Sequence, residues 1–245
     1  MLNDKTIAIT GAARGLGAAL AIIAADQGMR PILLGRNASA LEGVAGLIEQ
    51  RVGRRPVWVP CDLVDPASIA AAVATIERVS PELDILINSG SQWTGGDFAS
   101  QSDEQIASVV NSTVTGTMML SRRLLPLLRA RPRADIHTIV SMNGLPYARL
   151  RTSSVPFMAA KAAQSGFVQA LTEELVGTNI RVTSVFPGII EDVMPTESGW
   201  SEERGSADML SNRNVVEAIL HILSQPANVA IRSLVIERAK TDFLN

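Results

Sequence analysis

The sequence predicts a single α/β domain with a doubly wound parallel sheet of seven strands and helices on both faces. Apolar segments of strand length alternate with longer, helix-periodic segments along all 245 residues, which is the order that parallel sheets require. Alanine is abundant and the aromatic content is only 4%, which favours helices packed closely on a sheet. A glycine-rich turn follows the first predicted strand, as in many doubly wound proteins.

Seven segments are predicted as strands, and the first six carry consecutive Ile, Val or Leu residues, as strands covered on both faces do. The predicted strands are Lys5–Thr10, Pro31–Gly35, Pro56–Cys61, Asp84–Asn88, Asp135–Ser141, Ile180–Phe186 and Ser233–Glu237. The predicted helices are Gly15–Gly28, Ala38–Val52, Pro66–Val79, Asp103–Ala130, Ser154–Gly177 and Asn212–Leu223. Capping residues such as Asp65 and Ser102 mark two of the helix starts.

Two stretches interrupt this alternation, and we expect both to lie near a ligand. Residues 90–102 and 188–211 each follow the carboxyl end of a predicted strand, where open α/β sheets bind their ligands. The second stretch is long and rich in Gly, Ser and Glu, and is predicted to be a mobile substrate lid. A plain solvated connection is the alternative.

Composition and charge exclude several classes of protein. The net charge of −2 and the pI near 5.8 give no basic surface for nucleic acid. No apolar run approaches the ~20 residues of a membrane span, and the first residues lead into a strand without a signal-peptide pattern. Cys61 is the only cysteine, which excludes an internal disulfide and favours a reducing, cytoplasmic location. No metal-ligand spacing is present.

The most specific motif is the glycine-rich loop between the first strand and the first helix. It reads Thr10-Gly11-Ala12-Ala13-Arg14-Gly15-Leu16-Gly17. Gly11 permits a sharp turn, Gly15 lets the backbone approach a pyrophosphate, and Gly17 allows close helix packing. The free N–H groups and positive dipole of the helix start then favour phosphate. The loop therefore predicts a dinucleotide site, with a ligand-free tight turn as the alternative.

The spacing Gly-x-x-x-Gly-x-Gly after a threonine resembles the short-chain dehydrogenase/reductase family, and further motifs resemble it in the same order along nearly the whole chain. The resemblance implies a Rossmann-type fold with sheet order 3-2-1-4-5-6-7 and a homodimer or homotetramer paired through the fourth and fifth helices. The residues that carry it are Asp62 with Leu63 after the third strand, Asn88 and Gly90 after the fourth, Asn111, Lys161 and the turn Pro187-Gly188-Ile189.

The end of the second strand favours NADP(H) over NAD(H). An NAD site uses Asp or Glu there to bind the ribose 2′-hydroxyl, but no acid occurs between Gly28 and Leu41. Arg36 stands in that place, and Arg14 lies in the glycine loop. A guanidinium pairs well with a 2′-phosphate. A solvated surface arginine is the alternative for Arg36.

The catalytic positions depart from the family. The resemblance implies an acid/base tyrosine, a substrate-binding serine, a lysine and an asparagine. Asn111 and Lys161 match the last two, but Phe157 stands at the tyrosine position and Gly144 at the serine position. Tyr147, the only tyrosine, is the candidate for rescue, with Ser141, Asn143, Ser153 or Ser154 as polar donors. Asp192 stands where the family often has a threonine that contacts the cofactor.

Three functions remain open from the sequence. The first is an NADP(H)-dependent oxidoreductase acting on a small carbonyl or alcohol with weak or rearranged catalysis. The second is a catalytically silent NADP(H)-binding sensor or partner subunit. The third is a lyase or isomerase in the same cleft, which the intact glycine loop disfavours. We expect a small-molecule ligand in each case, with no nucleic-acid or membrane partner.

Overall fold

The computed structural model describes residues 2–147, 153–203 and 209–239. Within these ranges, seven strands form one parallel sheet. They are β1 (Thr6–Thr10), β2 (Arg30–Gly35), β3 (Val57–Pro60), β4 (Ile85–Asn88), β5 (Ala134–Ile139), β6 (Ile180–Pro187) and β9 (Ser233–Ile236). Their order in the sheet is β3-β2-β1-β4-β5-β6-β9, where β9 is the seventh predicted strand. The predicted sheet order is confirmed.

Helices cover both faces of this sheet. They are α1 (Gly15–Asp26), α2 (Ala38–Val52), α3 (Pro66–Val79), α4 (Asp103–Val110), α5 (Gly116–Arg129), α6 (Val155–Glu174) and α7 (Asn212–Ser224). Two buried apolar clusters result. One joins α1, α2 and α7 to the sheet, and the other joins α3, α5 and α6 to the opposite face. The predicted α/β class with a seven-stranded, doubly wound sheet is confirmed.

Two of the predicted elements differ in the structure. The segment Asp103–Ala130 is not one α-helix, because a π-helical turn over Asn111–Thr115 separates α4 from α5. A π turn takes one extra residue and so shifts the faces that follow it. Strand β3 is at the sheet edge and is not covered on both faces; Val57 is 39% exposed.

The second interrupted stretch contains two short strands that the sequence did not indicate. β7 (Ile190–Glu191) pairs in parallel with β8 (Leu210–Ser211), directly before α7. The pairing joins the segment after β6 to the start of the last helix. Residues 204–208 of the predicted lid lie outside the described residues, and the lid stays a prediction.

A buried hydroxyl fixes two turns at the carboxyl edge of the sheet. Thr10 Oγ1, at the end of β1, accepts hydrogen bonds from the backbone N–H groups of Ser89 (2.9 Å) and Gly90 (2.8 Å). It also donates to the carbonyl oxygen of Ile87 (3.3 Å). Thr10 thus ties the glycine loop after β1 to the turn after β4, and both turns face the same cleft.

Candidate active site

A cavity of about 1160 Å³ lies along the carboxyl ends of the parallel strands, where doubly wound sheets bind ligands. It extends from the glycine loop to Lys161 on α6. Most of the residues that the sequence assigned to a cofactor line it. They are Thr10, Gly11, Arg14, Gly15, Leu16, Gly17, Arg36, Asp62, Leu63, Gly90, Lys161, Pro187, Gly188 and Ile189. Their roles as binding residues stay predictions.

The glycine loop has the backbone shape that phosphate binding requires. Gly11 and Gly15 have φ angles of +70° and +58°, a region that other residues rarely adopt. A Cβ atom at Gly17 would overlap the carbonyl oxygen of Gly11, so α1 and the loop approach as closely as glycine allows. Helix α1 has no side-chain cap and no acidic residue in its first turn. Its N–H groups and dipole are therefore available to an anion.

The two arginines of the predicted 2′-phosphate site are exposed and line the cavity. Arg36 follows β2 directly, and Arg14 occupies the N-cap position of α1. In the part of the chain that the structure describes, neither guanidinium pairs with a carboxylate. Both are free to pair with a phosphate, so the residues present fit NADP(H).

Lys161 is a buried amine that lines the cavity. It is 4% exposed, and burial lowers the pKa of its ammonium to about 7. Nζ donates to the carbonyl oxygen of Ile139 (3.0 Å) and to Oε1 of Gln164 (2.9 Å). An ammonium has three N–H donors, so one remains without a protein acceptor among the described residues.

The two positions that break the family pattern contact this lysine. The ring centroid of Phe157 lies 5.6 Å from Lys161 Nζ, and Phe157 lines the cavity. Gly144 packs against the backbone of Lys161, because a Cβ there would lie 2.8 Å from its carbonyl oxygen and 2.7 Å from Cγ1 of Val140. A serine at Gly144 thus requires the backbone to shift.

A polar pair, Asn143 and Ser153, lies next to Gly144. Asn143 Nδ2 donates to Ser153 Oγ (2.7 Å), and both residues line the cavity. Asn143 is 7% exposed, and its Oδ1 has no hydrogen-bond partner among the described residues. A buried polar atom without a partner is costly. The pair can therefore bind a polar atom of a ligand.

Four predicted site residues do not line the cavity: Asn88, Asn111, Tyr147 and the candidate donor Ser154. Asn88 turns inward, where Nδ2 donates to Ser121 (3.2 Å) and Thr138 (3.3 Å). Asn111 begins the π turn, and the next residue, Ser112, faces the cavity instead. Tyr147 is 56% exposed and stands outside the lining. The catalytic role of Tyr147 stays a prediction.

The sequence did not indicate which residues hold the side chain of Lys161 in place. Gln164 Nε2 donates to the carbonyl oxygen of Thr113 (3.0 Å), so Gln164 bridges the lysine to the π turn. Thr113 is fully buried and shares a hydrogen bond with Ser91 (2.7 Å). Gln164 lies three residues after Lys161, on the same helix face, which is the signal that could have found it.

The described residues hold no group of three or more potential metal ligands. His137 is fully buried and shares a hydrogen bond with Thr183 (2.9 Å), while His221 lies on α7. No helix in the described ranges has both the length and the apolar character to cross a membrane.

Comparison with known proteins places the chain in a family. A family model described as "short chain dehydrogenase" matches residues 5–203. An uncharacterised oxidoreductase of Staphylococcus aureus (strain MW2) is 26% identical over 236 residues, covering 96% of this chain and 98% of that protein. One from Staphylococcus saprophyticus is 27% identical over 238 residues, covering 96% and 97%.

Solved structures share the fold over nearly the whole chain. L-sorbose reductase from Gluconobacter frateurii, complexed with NADPH and L-sorbose, has a TM-score of 0.85 at 22% identity and covers 99% of this chain and 97% of its own. A protein described as a short chain dehydrogenase from Escherichia coli CFT073, complexed with NADPH, has a TM-score of 0.81 at 25% identity, with coverages of 95% and 96%. The chain therefore belongs to the short-chain dehydrogenase/reductase family of oxidoreductases.

Proposed function

We propose that this protein binds NADP(H) and interconverts a small carbonyl compound and its alcohol with a rearranged set of proton-transfer groups. One observation carries the proposal: a single cavity joins the phosphate-binding glycine loop to the buried amine of Lys161. This shape suits a dinucleotide, which is long enough to reach from the start of α1 to the amine of Lys161. A cleft of this kind is a typical active site.

The choice of NADP(H) depends on charge at the end of β2. Arg36 and Arg14 present two exposed guanidinium groups, and no acid occurs between Gly28 and Leu41 to bind a 2′-hydroxyl. The Escherichia coli protein of similar fold was solved with NADPH, which supports the same choice. Arginine binds phosphate in a bidentate, charge-assisted manner.

Proton transfer is assigned to Lys161. Bound NADPH supplies a hydride to the carbonyl carbon, and the oxygen then needs a proton. The third N–H of Lys161 has no acceptor among the described residues, and its pKa of about 7 lets the group give and regain a proton near neutral pH. Gln164 and the carbonyl oxygen of Ile139 hold the amine in place.

Substrate positioning is assigned to Asn143 and Ser153. Both lie on the cavity wall beside the glycine that replaces the family serine. Their shared hydrogen bond leaves the buried Oδ1 of Asn143 without a partner among the described residues. Because an amide oxygen accepts hydrogen bonds, a hydroxyl or N–H group of the substrate satisfies it. The substrate class is therefore a small molecule with at least one hydrogen-bonding group next to the reacting carbon.

A second candidate is a silent NADP(H)-binding sensor or partner subunit. Phe157 and Gly144 favour it, because neither side chain can exchange a proton with a substrate. The cofactor cavity is the same in both cases, and only turnover separates them. A homodimer or homotetramer, a cytoplasmic location and a single domain with a lid over 188–211 remain part of the proposal.

Titration with NADPH and NADH, followed by nicotinamide fluorescence, tests the cofactor assignment. We expect NADPH to bind more tightly, and Arg36→Ala to weaken NADPH by about tenfold or more while leaving NADH unchanged, because only NADPH carries the 2′-phosphate. Arg78→Ala on α3 is the matched control, since Arg78 is exposed and outside the cavity. Absence of binding by either nucleotide would refute the proposal.

NADPH oxidation with a panel of small aldehydes and ketones then separates the two candidates. The oxidoreductase is supported if the wild type reduces a substrate and Lys161→Met does not, while the variant still binds NADPH. Binding without turnover on any member of the panel supports the silent protein.

A further inference from the structure

The carboxylate of Asp192 lies at the start of α1, beside the second glycine of the loop. A Cβ atom placed on Gly15 would be 3.5 Å from Oδ2 and 3.7 Å from Oδ1 of Asp192. Both oxygens therefore face the backbone that the phosphates of a bound nucleotide would approach. Asp192 also lines the cavity.

The fold holds this carboxylate in position. Asn212, the first residue of α7, donates from Nδ2 to Asp192 Oδ1 (2.5 Å) and to the carbonyl oxygen of Val193 (3.2 Å). Asn212 is 2% exposed. The pairing of β7 with β8 sets Glu191 opposite Ser211, so the residues just before Asp192 and Asn212 are also joined. Asp192 is thus held by its side chain, and the residue before it is held in a strand pair.

Helix α1 lacks an anionic group of its own. Arg14 at its N-cap makes no side-chain capping bond, and its first turn contains no Asp or Glu. A helix start with free N–H groups and a positive dipole favours a nearby negative charge. Asp192 supplies that charge from a distant part of the chain. A nucleotide phosphate would seek the same N–H groups.

We propose that Asp192 is an internal competitor for the phosphate-binding end of α1 and sets the nucleotide affinity of this protein. The inference rests on the proposed function, since the nucleotide is NADP(H). Two negative groups near one helix start repel each other. Binding therefore either works against the carboxylate or displaces it from Asn212. The carboxylate in turn stabilises the free protein.

Asp192→Asn tests this directly, because the amide keeps an oxygen that can accept from Asn212 and removes only the charge. Glu191→Gln is the matched control: it changes net charge by the same amount at the preceding residue, which does not line the cavity among the described residues. We expect Asp192→Asn to lower the Kd for NADPH by about tenfold at low ionic strength. The gain should shrink as salt is added, and Glu191→Gln should leave the Kd unchanged.

Thermal unfolding without nucleotide provides an independent readout. We expect Asp192→Asn to lower the Tm relative to the wild type, because α1 loses its counter-charge. An equal or weaker NADPH affinity for Asp192→Asn, together with an unchanged Tm, would overturn the inference. If no variant binds NADPH, the proposed function fails. The Tm then decides alone whether the contact between Asp192 and α1 exists: a lower Tm for Asp192→Asn supports it, and an equal Tm overturns it.

Discussion

At the scale of single residues, the site is defined by what surrounds one amine. The amine of Lys161 has one backbone acceptor and one side-chain acceptor, and the ring of Phe157 lies 5.6 Å away. It has no carboxylate partner among the described residues. Burial without a counter-charge disfavours the ammonium form, which is why its pKa falls. The proposed reaction depends on whether a proton on Lys161 can reach a substrate oxygen.

A tyrosine at position 157 should add a direct path for that proton. We expect Phe157→Tyr to raise the rate of NADPH-dependent carbonyl reduction by at least about tenfold, because a positioned acid/base group contributes about 10²–10⁴ in rate and the phenol would lie near the lysine. Steady-state kinetics with small aldehydes measure it. Phe157→Leu is the control and should give no gain. An unchanged rate for Phe157→Tyr at unchanged NADPH affinity would contradict the prediction.

At the scale of elements, the site depends on how strand ends are tied together. Thr10 accepts two hydrogen bonds from the turn after β4 and donates one to Ile87. The cofactor loop and the wall of the cavity are thereby fixed by one hydroxyl. The π turn helps to position Lys161 in a similar way. The carbonyl oxygen of Thr113 accepts a hydrogen bond from Gln164, and Gln164 in turn accepts one from Lys161.

Removal of the Thr10 hydroxyl should destabilise this edge of the sheet. Thr10→Val keeps the shape of the side chain but leaves the N–H groups of Ser89 and Gly90 without their acceptor. We expect the free energy of unfolding to fall by about 1–3 kcal/mol, the usual cost of buried donors left unpaired. Denaturant unfolding measures the change. Thr10→Ser keeps the hydroxyl and should lose less; equal losses for both variants would refute the role of the hydrogen bonds.

At the scale of the whole molecule, the centre of the sheet contains a buried histidine. His137 on β5 has no exposed surface, and its Nε2 has no hydrogen-bond partner in the part of the chain that the structure describes. Burial, followed by the nearby charge of Arg181, lowers its pKa from 6.5 to about 3. The folded protein therefore keeps this ring neutral at pH values where the unfolded chain protonates it.

This difference predicts acid sensitivity. Between pH 6.5 and about 3 the unfolded chain binds a proton that the folded protein does not. His137 thus lowers the free energy of unfolding as the pH falls, by up to about 1.4 kcal/mol per pH unit. We expect the difference in unfolding free energy between the wild type and His137→Gln to be constant above pH 7 and to decline below pH 6.5. Urea unfolding at several pH values measures it. A difference that does not change with pH would contradict the assignment.

The sequence predicted the fold and the cofactor loop because both depend on local patterns. Strand-length apolar runs and glycines at fixed spacing determine the order of elements and the shape of the turn after β1. The same patterns could not show that a π turn follows α4, because that turn depends on packing against α6. In the structure Asn111 begins the π turn, Ser112 lines the cavity, and the carbonyl oxygen of Thr113 accepts from Gln164; the role of Asn111 stays a prediction.

The sequence also could not predict the direction in which the side chains near the cleft point. Asn88 ends a strand beside the cleft, yet its amide points toward Ser121 and Thr138. Tyr147 lies three residues after Gly144, yet its ring is largely exposed. The contact between Asp192 and Gly15 joins positions far apart in the chain, and no short motif encodes it.

The close packing of Gly144 against α6 limits the order in which substitutions can restore a family-like site. A Cβ at this position would meet the carbonyl oxygen of Lys161 at 2.8 Å, and that backbone also positions the amine. A serine introduced alone would therefore push on the backbone of α6 at Lys161. The side chain at position 157, by contrast, already lines the cavity. A serine at position 144 can therefore be accommodated only after the backbone around Lys161 moves.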